Sequence, residues 1–178
     1  MKYIETDKRF YKKLVKIALP IAMQSVITTG VNLVDTIMLG TLGETALSAS
    51  SLATQFITLF TFLCMGISMG ASVLTSRYWG AQNKDSLRKT ITVALRFTVV
   101  LALVFTAVNI CVPRQIMELY TNESTVIEGG TVYLQWSTIT YILMALSTVT
   151  TNILRSADLA MIPLAASTTS FLVNISAN

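Results

Sequence analysis

Apolar residues run along the chain in five long blocks separated by short polar connections, and blocks of this length read as helices rather than strands. The pattern predicts spanning helices at about residues 17–39, 47–78, 90–112 and 126–154, with a fifth from 164 still running at Asn178. A helix rising ~1.5 Å per residue needs about 20 residues to cross a hydrocarbon core of ~30 Å. The first four blocks meet that length. The fifth reaches only about 22 Å, so the chain is expected to be the N-terminal piece of a larger protein.

Polar residues within the first block are not scattered. Gln24, Thr28, Asn32, Asp35 and Thr36 fall on one helical face, and Ile21, Val26, Ile27, Leu33 and Ile37 make the opposite face apolar. A charge at the bilayer centre costs ~2.5–3.5 kcal/mol on insertion scales, so Asp35 is expected to face a hydrated cavity or a partner. The competing reading places Asp35 near enough to the helix end to reach interfacial water. The stripe of polar companions favours the hydrated interior.

The later blocks differ in kind. The second is rich in small residues and carries Gly66-x-x-x-Gly70 with Ala71, a spacing that lets helices approach closely in lipid, although it also arises often by chance. Tyr78 and Trp79 suit a membrane interface. The third, with its TVVLALVFTAV run, is the plainest and is expected to face lipid more than substrate; Pro113 ends it. Ile116, Met117, Leu119 and Tyr120 then suit an interfacial turn of helix, and Thr125-x-x-Glu128 reads as a capping box opening the fourth span. That span holds Tyr133, Gln135, Trp136, Tyr141 and a Ser/Thr-rich second half. Hydroxyls in spanning helices mostly bond their own backbone, whereas aromatic rings facing a cavity would hold an organic cation by stacking and cation–π contact.

Composition agrees with a membrane protein: 53% hydrophobic and 12% charged, against about 25% charged in soluble domains. The net charge of +4 does not indicate nucleic acid, because the cations sit at alternate connections. If the N-terminus is cytoplasmic, every Lys and Arg except Arg114 lies on the inner side, as the positive-inside rule requires. Residues 80–89 are then inside, and 41–45 and 114–124 outside. Phe10, Leu14 and Ile17 make the basic N-terminal segment amphipathic, suited to the inner interface, and the chain is read as keeping its first helix uncleaved. Cys64 and Cys111 lie within apolar segments and read as small core residues. With no His in the chain, a His-based zinc site or His general base is excluded.

Several stretches together resemble a known family. ALPIAMQ at 18–24, the 32–55 block NLVDTIMLGTLGETALSASSLATQ, and GISMGASVLTSRYWGAQN at 66–83 are similar to the N-terminal part of multidrug and toxic compound extrusion (MATE) transporters. Weaker likeness continues through ILRSADLAMIP at 153–163 and Asn174-x-x-x-Asn178. Their superfamily also holds lipid-linked oligosaccharide flippases. The resemblance implies an all-α integral membrane protein, a polytopic helical bundle forming a partial N-terminal lobe of a twelve-helix transporter. Its partners would be the bilayer, small amphipathic or cationic substrates, and a C-terminal lobe of the same chain. The expected activity is antiport of drugs and organic cations across the plasma (inner) membrane by alternating access, driven by H⁺ or Na⁺, with no cofactor and no enzymatic reaction.

By the same resemblance, a first-helix carboxylate, matched here by Asp35, takes part in cation coupling with Asn174 and Asn178 nearby; Asn32 is placed with them. Gln24, Thr28, Gln55 and Tyr141 are the candidate substrate-cavity residues. Where some members have Asp, this chain has Asn178, which removes one titratable group from a carboxylate-pair mechanism. Ser156 follows Arg155 where members commonly have Gly. A flippase would show a cavity lined with Arg and Lys; a membrane-embedded enzyme would need paired carboxylates, His or an activated Cys at membrane depth. A small non-transporting scaffold would not leave its last helix unfinished.

Overall fold

The computed structural model describes residues 8–41 and 43–177, and their side chains apart from those of Arg9, Phe10, Lys13 and 174–177. Seven helices follow in order: α1 (Lys8–Thr41), α2 (Glu44–Gly80), α3 (Lys84–Cys111), α4 (Pro113–Glu118), α5 (Ser124–Ser137), α6 (Thr140–Ser156) and α7 (Met161–Ala177). No strand occurs among the described residues. Three helices, Leu14–Thr41 within α1 together with α2 and α3, are long and apolar enough to cross a bilayer.

The breaks between helices have local causes. Gly43 sits at φ 104°, a conformation open to glycine at no steric cost, and turns α1 into α2. Asn83 caps α3 by accepting a hydrogen bond from the Ser86 backbone N–H at 3.1 Å, just after Gln82 takes a left-handed φ of 54°. Pro113 cannot continue α3 but opens α4, where its missing N–H is harmless. The basic segment Lys8–Lys16 is not a separate interfacial element; it forms the first turns of α1, while the residues before it lie outside the described residues. The capping box does not form either. Glu123 is the N-cap, the helix begins at Ser124, and the Thr125 hydroxyl donates to Glu123 Oε1 at 3.1 Å rather than accepting from the Glu128 backbone N–H.

The fourth block is two helices, not one continuous span over 126–154. α5 and α6 meet at a bend of 60°. No Pro or Gly lies at the break; hydroxyl groups compete for the backbone there. Ser137 donates to the Tyr133 carbonyl at 2.8 Å, Thr138 to Leu134 at 3.2 Å and Thr140 to Ser137 at 2.6 Å, the back-bonding that bends helices. From α3, the buried Asn109 amide donates to the Leu134 carbonyl and to Thr138 Oγ1. Broken backbone within protein is thereby hydrogen-bonded, the condition for a break at membrane depth.

The core lies among α2, α3 and α6. Their buried positions recur every three to four residues: Ala49, Ala53, Phe60, Cys64, Ser68, Ala71 and Thr75 on α2; Ala94, Thr98, Ala102 and Asn109 on α3; Tyr141, Ala145, Val149 and Ile153 on α6. Small side chains let the backbones approach where lipid offers no hydrophobic drive. Rings fill the middle, with Phe60 edge-on to Tyr141 at 4.9 Å and tilted against Phe105 at 5.1 Å. Gly66 and Gly70 do not belong to this seam. A Cβ at either would meet nothing within 4 Å, so the close contact predicted from their spacing is made by the neighbouring Ser68–Ala71–Thr75 face. α3 sends one face, Ala94, Thr98, Ala102 and Asn109, into the core, while Phe97, Val100 and Leu103 point outward. Cys64 is buried, but Cys111, at the end of α3, is exposed, so only one of the two thiols is a core residue.

Candidate functional site

α1 stands apart from that core, packed mainly along α7; within its polar stripe Gln24 and Asp35 are half-buried while Thr28, Asn32 and Thr36 are exposed. Between α1, α6 and α7 lies a cavity of about 310 Å³ whose polar lining is Gln24, Thr28 and Asn32 of α1, Ser147 and Thr151 of α6, and Ser167 and Ser170 of α7, mixed with apolar Ile27, Val31, Pro163, Ala166 and Phe171; Ile27, expected on the opposite apolar face of α1, is therefore on the cavity side. Its hydroxyls are placed differently. Thr28, for example, donates to the Gln24 carbonyl at 2.9 Å, which leaves the Thr28 oxygen as an acceptor.

One end of the cavity is clasped by three helices. The Gln24 amide donates to Ser167 Oγ at 2.8 Å, and Arg155, in the last turn of α6, donates through Nη2 to Gln24 Oε1 at 2.6 Å. The second is a charge-assisted bond, short and directional. The Arg155 Nε is buried without a partner among the described residues. Behind the clasp, Asn152 donates to Ser68 Oγ at 2.8 Å and fastens α6 to α2.

Asp35 is half-buried on α1, one turn beyond Asn32, and has no hydrogen-bond or ion-pair partner among the described residues. It adjoins the cavity rather than lining it. The Gln24–Ser167 bond sets a parallel register in which the backbone of Asn174 on α7 comes level with Asn32. The side chains of Asn174 and Asn178 lie outside the described residues. No cluster of three or more His, Cys, Asp or Glu able to hold a metal occurs among the described residues.

The other two sequence-derived cavity residues lie elsewhere. Gln55 is exposed on α2, away from the cavity. Tyr141 is fully buried in the aromatic core against Phe60, where burial leaves no face for a ligand to stack on. Conversely, Arg155, Thr151, Ser167 and Ser170 join the site without having been singled out for it. The i, i+3 spacing of Ser167 and Ser170 was the available signal for α7; Arg155 gave none beyond being a cation at a helix end.

The MatE family profile matches residues 20–178. The chain belongs to the MatE family. It is therefore a multi-pass membrane protein of a transporter family. Among solved structures, a MOP superfamily transporter from Pyrococcus furiosus Vc1 (DSM3638) has the same fold, with a TM-score of 0.82 at 20% sequence identity. The likeness covers 92% of this chain and 37% of that one, so this chain spans little more than a third of that transporter's length. That protein is described as having a binding pocket of reverse polarity that suggests a different function. No curated protein matches the chain. In this MatE chain, the matched region begins at Pro20 and so includes all of the cavity-lining residues.

Proposed function

We propose that this chain forms the N-terminal lobe of a cation-coupled antiporter that exports drugs and organic cations by alternating access across the plasma (inner) membrane, with its N-terminus cytoplasmic. The observation that carries the reading is the cavity of mixed lining between α1, α6 and α7, with Gln24, Thr28 and Asn32 on its wall and half-buried Asp35 one turn away. An unpaired carboxylate among apolar helices is costly when charged. Binding H⁺ or Na⁺ removes that charge and the associated desolvation penalty. Asn32 and Thr28 offer oxygen ligands or rearranged hydrogen bonds beside it, and Asn174 and Asn178 complete the proposed set. Ion and drug then stabilise different arrangements of the lobe, which is all that coupled exchange requires.

In the full-length transporter, Asp35→Asn is expected to abolish ion-driven efflux of a fluorescent organic cation from vesicles while leaving its binding intact. Uphill efflux at the wild-type rate removes Asp35 from coupling. A second reading, a flippase for a lipid or oligosaccharide precursor, is favoured by Arg155, a cation held against a cavity residue. Under that reading Arg155→Gln weakens binding of a lipid diphosphate, and organic-cation efflux is absent from the outset.

A further inference from the structure

Outside the cavity, the α2–α3 hairpin carries two adjoining grooves that share Lys89 and Val93. The first, of about 440 Å³, is apolar, with Ile67, Leu74, Val93 and Phe97 as walls and Gly66 and Gly70 as its floor. Those glycines hold it open, since no atom lies within 4 Å of where their Cβ atoms would be. The second, of about 390 Å³, runs along α3 and is lined by Arg88, Lys89, Thr92 and Arg96 with a single carboxylate, Asp85. None of its three cations makes an ion pair with another described residue.

The order of these features along the hairpin matters. Arg88 and Lys89 lie near the start of α3, beside the polar connection, and Arg96 lies two turns further in, about 12 Å beyond Arg88 at ~1.5 Å per residue. Phe97 and Val100 beside it point outward. An exposed guanidinium at that depth has to reach back toward the headgroup layer or find an anion. The apolar groove begins at Lys89 and runs toward the middle of the two helices. A basic end near the interface followed by an apolar channel is complementary to a lipid, with phosphate outside and hydrocarbon inside, and basic pockets between spanning helices suit anionic headgroups.

We propose that the α2–α3 hairpin binds an anionic phospholipid, its phosphate held by Arg88, Lys89 and Arg96 and one acyl chain lying in the groove over Gly66 and Gly70. The site is separate from the α1–α6–α7 cavity and does not depend on what the transporter carries. It concerns a resident lipid, not a substrate.

The test uses full-length protein reconstituted with equal phosphatidylglycerol and phosphatidylcholine, then extracted and weighed by native mass spectrometry. Phosphatidylglycerol is expected to be retained at least fivefold over phosphatidylcholine. R88Q/R96Q, two exposed positions, should bring that ratio to about one. G70L fills the groove and should lower retained phosphatidylglycerol at least threefold; V93W does the same from an exposed position and decides the matter should G70L not fold. Equal retention of the two lipids by the wild type overturns the proposal. So does retention that survives both groove-filling variants, or displacement of the lipid by inorganic phosphate alone. A V93C variant that cross-links to another protein segment in place of a thiol-reactive lipid probe also overturns it, by showing that protein covers the groove.

Discussion

The α2–α3–α6 core and the α1–α7 pair draw on nearly the same residue types and use their polar groups in opposite ways. In the core, Ser68, Thr75, Thr98 and Asn109 are fully buried, and those with partners bond neighbouring backbone or one another. Thr98 donates to the Ala94 carbonyl, Asn109 secures the α5–α6 break, and Asn152 reaches Ser68. Around α1 and α7, Gln24, Asn32, Ser167 and Ser170 surround open space. Small residues on all three core helices allow the seam to close dry. α1 instead presents amides that need partners across a gap, while its other face leaves Val26, Leu33 and Ile37 exposed. Polarity alone does not separate scaffold from site; the separation comes from whether the facing helices can touch.

Three measurements sharpen or break this contrast. The largest effect belongs to the core. Tyr141→Ala empties the centre of the aromatic cluster and is expected to destabilise the lobe by about 3 kcal/mol, measured by reversible unfolding in mixed micelles, with Gln24→Ala below ~1 kcal/mol. Equal losses at the two positions would erase the distinction between the regions. Next comes the clasp. A double-mutant cycle on Arg155→Gln and Gln24→Ala should give a coupling of about 0.6 kcal/mol, with ~1.7 kcal/mol as its ceiling for a bond between membrane helices. Zero coupling would mean that α6 does not fasten α1. The smallest effect is at Gly66. Gly66→Ala should be neutral or stabilising by up to ~1 kcal/mol, because its Cβ meets open space and alanine favours the helix. A clear destabilisation would place a close helix partner at that face.

Much of the site could be read along α1. Gln24, Thr28 and Asn32 share one face in the sequence and line one cavity in the structure, because a single helix's faces follow from its period alone. The aromatic candidate lies in the core instead. Tyr141 has the chemistry of a cation-binding ring, but its own helix does not reveal that Phe60 and Phe105 close over it. Gly66-x-x-x-Gly70 is similar: the spacing is real, but among the described residues no helix packs on that face. The bend at 138–139 left a faint trace in the clustered hydroxyls of Ser137, Thr138 and Thr140, which the length and apolarity of the block concealed.

Membrane character, most helix positions and the polar face of the first helix were already present in the chain's composition and periodicity. These depend on transfer from water to lipid and on the helical repeat, which act residue by residue and turn by turn. Which faces meet was settled only by the folded bundle. Arg155 lies 131 residues from Gln24, and Asn109 lies 25 from the carbonyl it secures. Nothing local in either segment specifies such a pairing, because it depends on how closely the intervening helices pack and where one of them breaks.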